Sequence, residues 1–173
     1  MRIIQILFGK IPGHLQACVD SIISYAQING FEYSQITSIP LHFTEPEFKS
    51  PKEKFLWRRH ISDWTRTKEL STIPHTFYVD WDVFLYTDFL IKDLNKPCFG
   101  WGDTTDCLMY NGDNLEIFKE FNNRIETPSV FPEYNLSRLI DSYCSKHPDY
   151  QRYQGHCCHL DNCRFHNCYD LYD

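Results

Sequence analysis

Two aspartates, Asp80 and Asp82 of Asp80-Trp81-Asp82, are the residues whose type and spacing most directly imply chemistry. On an extended backbone, side chains two apart point to the same side, so the two carboxylates are expected to converge on one point. Close carboxylates repel each other unless a cation lies between them. A hard divalent ion such as Mn2+ or Mg2+ prefers oxygen ligands, often takes only one or two carboxylates, and fills its shell with phosphate oxygens and water. Such a site has room for a diphosphate, and the ion would neutralise charge on a departing phosphate group. The preceding Phe77-Tyr78-Val79 has the composition of a central strand. It would place the pair at a carboxyl strand end, where ligands of open α/β sheets bind. The plain alternative is two solvated aspartates. An EF-hand loop is set aside, because its sixth position is Leu85 and not glycine.

The elements that must carry this pair read as alternating strands and helices. The run Ile3-Ile4-Gln5-Ile6-Leu7-Phe8, bounded by Gly9 and Pro12-Gly13, suits a buried strand. Leu15, Cys18, Val19, Ile22, Ile23 and Ala26 recur at helical spacing, and Asn29-Gly30 supplies a left-handed stop. Phe31 to Thr37 reads as a second strand, so strand, helix and strand in this order predict a parallel pair in an α/β sheet. Ser50-Pro51-Lys52-Glu53 offers an N-cap, a first-turn proline and a capping-box glutamate. The helix it opens carries Trp57, Ile61 and Trp64 on one stripe and must end before Pro74. Cys107 to Tyr110 is expected as a strand closed by Asn111-Gly112. Asp113 or Asn114 then caps a helix bearing Ile117, Phe118, Phe121 and Ile125. Leu136, Leu139, Ile140 and Tyr143 give a last helix its core face, and His147-Pro148 ends it. The tail from Asp149 shows no clear period. Neither a repeat nor a linker divides the sequence, so a single domain over 1–173 is expected.

With 42% apolar residues in 173, the chain can bury a core of ordinary size. Its net charge of -6, with cations scattered apart from Lys52 to Arg59, gives no basic field for a polyanion, and nucleic-acid binding is not expected. No basic start precedes a long apolar stretch, and no 18-residue apolar run occurs, so neither export nor a membrane span is expected. The location implied is cytoplasmic. Eight cysteines would form a disulfide framework in a secreted chain; here reduced thiols are expected.

Three segments, in order and separation, resemble those of a family of DxD-motif sugar transferases. It includes yeast initiation-specific mannosyltransferases, bacterial capsular sugar transferases and, more distantly, the glucosylating domains of large clostridial toxins. Ile3-Ile4-Gln5-Ile6-Leu7-Phe8-Gly9 is similar to the family's opening strand, and Ser62-Asp63-Trp64-Thr65-Arg66 to its Ser-Asp-x-x-Arg helix segment. Tyr78-Val79-Asp80-Trp81-Asp82-Val83 is similar to its Tyr-x-Asp-x-Asp-Val. The likeness covers the first half of the chain, to Leu90.

The resemblance implies a GT-A type fold, a Rossmann-like nucleotide-sugar-binding sheet flanked by helices. It also implies retaining transfer of a hexose from a UDP- or GDP-sugar, with Mn2+ or Mg2+, to an acceptor the sequence does not name. By matched position, Asp63, Arg66 and Asp80 would contact the donor sugar, and Asp82, with Asp80, would hold the metal at the catalytic centre. Leu7 and Phe8 fall at the nucleotide pocket. Asp63 and Arg66, at i and i+3, share one helix face, where a carboxylate and a guanidinium together serve both sides of sugar hydroxyls. Alone they would read as a helical ion pair.

The chain departs from the family in three places. The tryptophan near Leu7 is missing, leaving base stacking to Phe8, or to Trp57 or Trp64. The Gly-Gly before the aspartate strand is replaced by Ile73-Pro74-His75-Thr76, so that turn must be built differently. The chain is also short for a transferase of this type. These departures favour, as the alternative, a non-catalytic relative that keeps the donor fold; a metal-dependent phosphoester hydrolase is a third reading.

The tail gathers soft ligands in Gly155-His156-Cys157-Cys158-His159 with Cys163, His166 and Cys168. No C-x2-C pair exists and the spacings match no standard finger, so a zinc module is not expected. Transferases of this fold often take a third metal ligand from a late His or Asp, which the resemblance assigns to His156, with His159 second. Asp103 and Asp106 are expected as solvated loop carboxylates without a catalytic role, and Trp101 as a partly buried core residue before an acceptor platform.

Overall fold

The computed structural model describes residues 1–11, 13–100, 107–125 and 136–148, with the backbone of 151–153 and 157–159. Strand β1 (Arg2–Ile6) is buried on both faces, as a continuous apolar run in a parallel sheet requires. It leads through a 3-10 turn to helix α1 (Gln16–Asn29). Gly30 ends α1 at φ 65°, the left-handed conformation a Cβ disfavours. There its N–H bonds to the Gln27 carbonyl and that of Phe31 to Ala26, the paired bonds of a Schellman stop. Strand β2 (Glu32–Ile36) returns parallel to β1.

Helix α2 (Pro51–Leu70) starts where the capping signature places it. The Ser50 hydroxyl accepts the Glu53 N–H, while the Glu53 carboxylate takes the Lys49 N–H, one residue before the usual capping-box partner. Strand β3 (Thr76–Val79) follows, parallel to β1 on its other side. Next come β4 (Val83–Leu85), β5 (Cys98–Gly100) and β6 (Leu108–Tyr110), then α3 (Leu115–Arg124) and α4 (Leu136–Lys146). Two short strands close the described chain, β7 (Gln151–Tyr153) and β8 (Cys157–His159).

The main sheet has the order β2-β1-β3-β6-β5-β7, and β6 runs antiparallel to both of its neighbours. A separate antiparallel ribbon joins β4 to β8. Strand alternation divides the core between the two faces of the main sheet. Ile4, Ile6, Tyr78, Phe99 and Met109 face α2, α3 and α4, whereas Ile3, Phe77, Val79, Cys98 and Leu108 face α1 and the β4 segment. The expected mixed α/β sheet flanked by helices is therefore what the chain builds. Strands β4, β5, β7 and β8, three residues each, were not expected; β6 is as short, but Asn111-Gly112 marked its end. Among the described residues no helix is long and apolar enough to cross a membrane. Cys18, Cys98 and Cys107 are buried thiols. The tail cysteines lie outside the residues whose side chains are described.

Candidate functional site

Helix α2 and strand β3 bring Asp63, Arg66 and Asp80 together at the carboxyl end of the sheet. Tyr78 and Asp80, two apart on β3 and its extension, face α2, where Arg66 reaches them from the carboxyl-terminal half of the helix. The Arg66 guanidinium is only 4% exposed. Its Nη2 donates to Asp63 Oδ1, closing the i, i+3 pair. Its Nη1 lies 3.4 Å from both Asp80 Oδ1 and the Tyr78 hydroxyl. The guanidinium carbon stands 5.0 Å from the centre of the Tyr78 ring, within cation–π range. Tyr78 in turn donates its hydroxyl proton to Asp80 Oδ1. Burial, then the Asp80 charge, push the Tyr78 phenol well above its ordinary range, with Arg66 opposing, so it stays a hydrogen-bond donor.

Asp63 and Asp80 are 13% and 22% exposed. This is a shielded network of one cation and two carboxylates, not the exposed helical ion pair that spacing alone would give. Its members are costly to remove singly, because each deletion leaves a partly buried charge behind. The helical turn carrying Asp63 is itself clamped. Thr67 donates to the Asp63 and Trp64 carbonyls, and Asn122 of α3 donates to the Trp64 carbonyl at 2.9 Å and to the Thr67 hydroxyl at 3.0 Å.

Asp82 lies in a turn that follows the strand. The Asp80 N–H still bonds to the Cys107 carbonyl at 2.8 Å, extending the β3–β6 ladder, but the Asp80 carbonyl accepts the Val83 N–H at 3.2 Å. The chain turns there, so the rule that puts i and i+2 on one side stops at Asp80 and pairs it with Tyr78. Asp82 is half-buried within that turn. Among the described residues no group of three His, Cys, Asp or Glu is placed to share one ion. The oxygen donors of Asp80 and Asp82 suit a hard cation, which needs few protein ligands when phosphate and water complete its shell.

Leu7 and Phe8, expected at the nucleotide pocket, are both buried where the opening strand ends. Leu7 extends the β1–β2 ladder by bonding to the Ile36 carbonyl at 2.8 Å. Phe8 is 4% exposed and packed in the core that holds Trp57 and Ile61. Trp57 packs on Phe48, and Trp64 edge-on to Phe43 and His42. Trp101, Asp103, Asp106 and His156 lie outside the described residues. The backbone of His159 is paired with Val83, the residue after Asp82, so the tail does return to this turn.

Sequence reasoning missed Tyr78, Asn122 and Gln5. The period-2 rule, applied from Asp80 backwards, would have found Tyr78. Asn122 and Gln5 gave no signal, since what they bond depends on which elements become neighbours. Gln5 is fully buried; its Nε2 lies 3.4 Å from the Asp80 carbonyl, and its Oε1 accepts the Tyr33 hydroxyl at 2.7 Å.

No protein-family model matches the chain, and no curated protein sequence does. Its architecture, however, overlaps a solved glycosyltransferase involved in the glycosylation of the major capsid of PBCV-1. The TM-score is 0.51 at 17% identity, covering 88% of this chain and 81% of that one. The fold is that of the GT-A glycosyltransferases. A Drosophila β-1,4-galactosyltransferase 7 mutant, solved with manganese, UDP-Gal and xylobiose, overlaps at TM-score 0.49 and 11% identity, over 96% of this chain and 73% of that one. That second likeness is too slight to build on. In the GT-A frame the Arg66 network stands at the carboxyl ends of the parallel strands, the edge at which open α/β sheets bind ligands.

Proposed function

We propose that the chain transfers a hexose from a nucleotide-sugar, UDP- or GDP-linked, to an acceptor hydroxyl, with retention and with Mn2+ or Mg2+ bound. The observation that carries this reading is the gathering of Asp63, Arg66 and Asp80 into one shielded cluster at the ligand edge of a GT-A fold. Arg66 supplies several donors and the two carboxylates only acceptors, a set that matches the mixed character of sugar hydroxyls. Asp82, with Asp80, is assigned to the cation, which would neutralise the leaving diphosphate. In the transfer, the bond from the anomeric carbon to the diphosphate oxygen breaks, and its electron pair leaves with the nucleoside diphosphate. The acceptor oxygen then bonds to the same carbon, and its proton passes to the departing phosphate.

The test is a set of thermal melts with UDP- and GDP-sugars in Mn2+ or in EDTA, because a ligand that binds only the native state raises Tm. Stabilisation is expected only when a nucleotide-sugar and the cation are both present, and Asp82→Asn is expected to abolish that coupling. Unchanged metal dependence in the mutant removes Asp82 from the metal site. A non-catalytic donor-binding relative is the second reading, favoured by the mutual pairing of Asp63, Arg66 and Asp80 and by the turn built around His75. Donor binding without release of nucleoside diphosphate would select it.

A further inference from the structure

We propose that Tyr33 and Gln5 are positioning residues, forming a strut from β2 across β1 that aims the Asp80–Val83 turn, and with it Asp82. The inference rests on the reading of this edge as a metal-dependent nucleotide-sugar site. Gln5 sits mid-sheet with no exposed surface, in a strand where Ile3, Ile4 and Ile6 fill the other buried positions. A buried amide is unfavourable unless bonded, so its retention here calls for a use. Both of its hydrogen bonds lead to one feature. The Tyr33 hydroxyl donates to Oε1 at 2.7 Å, fixing which way the amide faces, and Nε2 then approaches the Asp80 carbonyl at 3.4 Å.

That carbonyl is the pivot of the turn, since it also accepts the Val83 N–H at 3.2 Å. Rotating the peptide after Asp80 would re-aim Trp81 and Asp82. It would leave the Tyr78–Asp80–Arg66 side-chain bonds on β3 and α2 in place. Neither bond of Gln5 goes to a donor-facing side chain, so its influence passes through the backbone alone. The strut should therefore affect the cation-dependent part of donor binding and spare the rest.

Calorimetric titration of a UDP- or GDP-sugar in Mn2+ and in EDTA tests this on wild type, Gln5→Leu, Tyr33→Phe and Ile3→Val. Ile3 is a buried core residue on the same face of β1, outside the strut, and its variant controls for lost stability. Gln5→Leu is expected to lose about five- to tenfold in affinity in Mn2+ with affinity in EDTA unchanged. Tyr33→Phe is expected to show a smaller loss of the same kind, and Ile3→Val none. A metal-dependent increment as large in Gln5→Leu as in wild type overturns the strut, as does an equal loss in Ile3→Val. If Gln5→Leu does not fold, Tyr33→Phe decides: an unchanged increment overturns the strut. A wild type that binds the donor without regard to metal, or not at all, sinks the functional reading and the strut with it.

Discussion

The two ends of β3 are built from opposite materials. At its carboxyl end, Arg66, Asp63, Asp80 and Tyr78 hold charge out of water. At its amino end, the chain is fixed by a neutral amide and an exposed pair. The Asn111 Oδ1 accepts the Thr76 N–H at 2.8 Å, while Nδ2 donates to the Leu70 and Ile73 carbonyls at 2.7 and 2.6 Å. Beside it His75, at φ 54°, meets the Tyr110 hydroxyl through Nδ1 and Asp113 through Nε2 at 3.2 Å, with both His75 and Asp113 well exposed. Burial pushes the Tyr110 phenol up to about 12, so its hydroxyl keeps the proton it gives to the Leu94 carbonyl. An amide can satisfy buried backbone groups without desolvating a charge, which is what a strand start needs. Shielded charge stabilises a fold poorly for its cost, and its concentration at one end is what the proposed site would require.

Three substitutions sharpen that contrast. Arg66→Ala strips the shared cation from two shielded carboxylates and is expected to destabilise the chain by about 3–5 kcal/mol. In the folded fraction it should weaken nucleotide-sugar binding about tenfold or more and leave the free nucleoside diphosphate almost unaffected. Denaturant melts and calorimetry measure both, and equal weakening toward sugar-bearing and sugar-free ligands would remove Arg66 from the sugar. Asn111→Ala takes this partner from the Thr76 N–H and the Leu70 carbonyl, while the Ile73 carbonyl keeps the Thr76 hydroxyl, and should cost roughly 2–3 kcal/mol. Donor affinity should not change; if it falls, the two ends are coupled and the contrast fails. His75→Gly should move stability by less than about 1 kcal/mol, because glycine adopts positive φ freely while the exposed pair contributes little. A loss above about 2 kcal/mol would show that the His75 contacts hold the strand start.

That last position explains how the chain manages without the Gly-Gly of the family it resembles. The backbone there is left-handed, and histidine occupies it while contacting Tyr110 and Asp113. Nothing in Ile73-Pro74-His75-Thr76 announces this, since histidine gives no local signal for positive φ. Gly112 is the converse case. The sequence marks it as a turn, and a Cβ there would lie 2.6 Å from the Asn95 carbonyl oxygen, so glycine is required twice over. Local signals such as the Ser50 cap, the Gly30 stop and the isoleucine run of β1 were legible because each acts within a few residues. Asp63, Arg66 and Asp80 were legible as a group through motif likeness, but not as a shielded network. Their shielding comes from Tyr78 and from the packing of α2 on β3, which no spacing encodes. The turn after Asp80, closed by the Val83 N–H on the Asp80 carbonyl, gave no signal either, since nothing in Trp81-Asp82 marks the end of the strand.

The pairing of β4 with β8 carries a consequence for how firmly this edge is held. Val83 meets a partner about 75 residues downstream, a span much like the one that joins Arg2 to Thr76 in the main sheet. What differs is the return, because two strands of three residues are marginal by themselves. The short β4–β8 ribbon is therefore expected to open before the main sheet does. The turn at Asp82 is thus fastened on one side by the main sheet, through β3, and on the other by a clasp that can open alone.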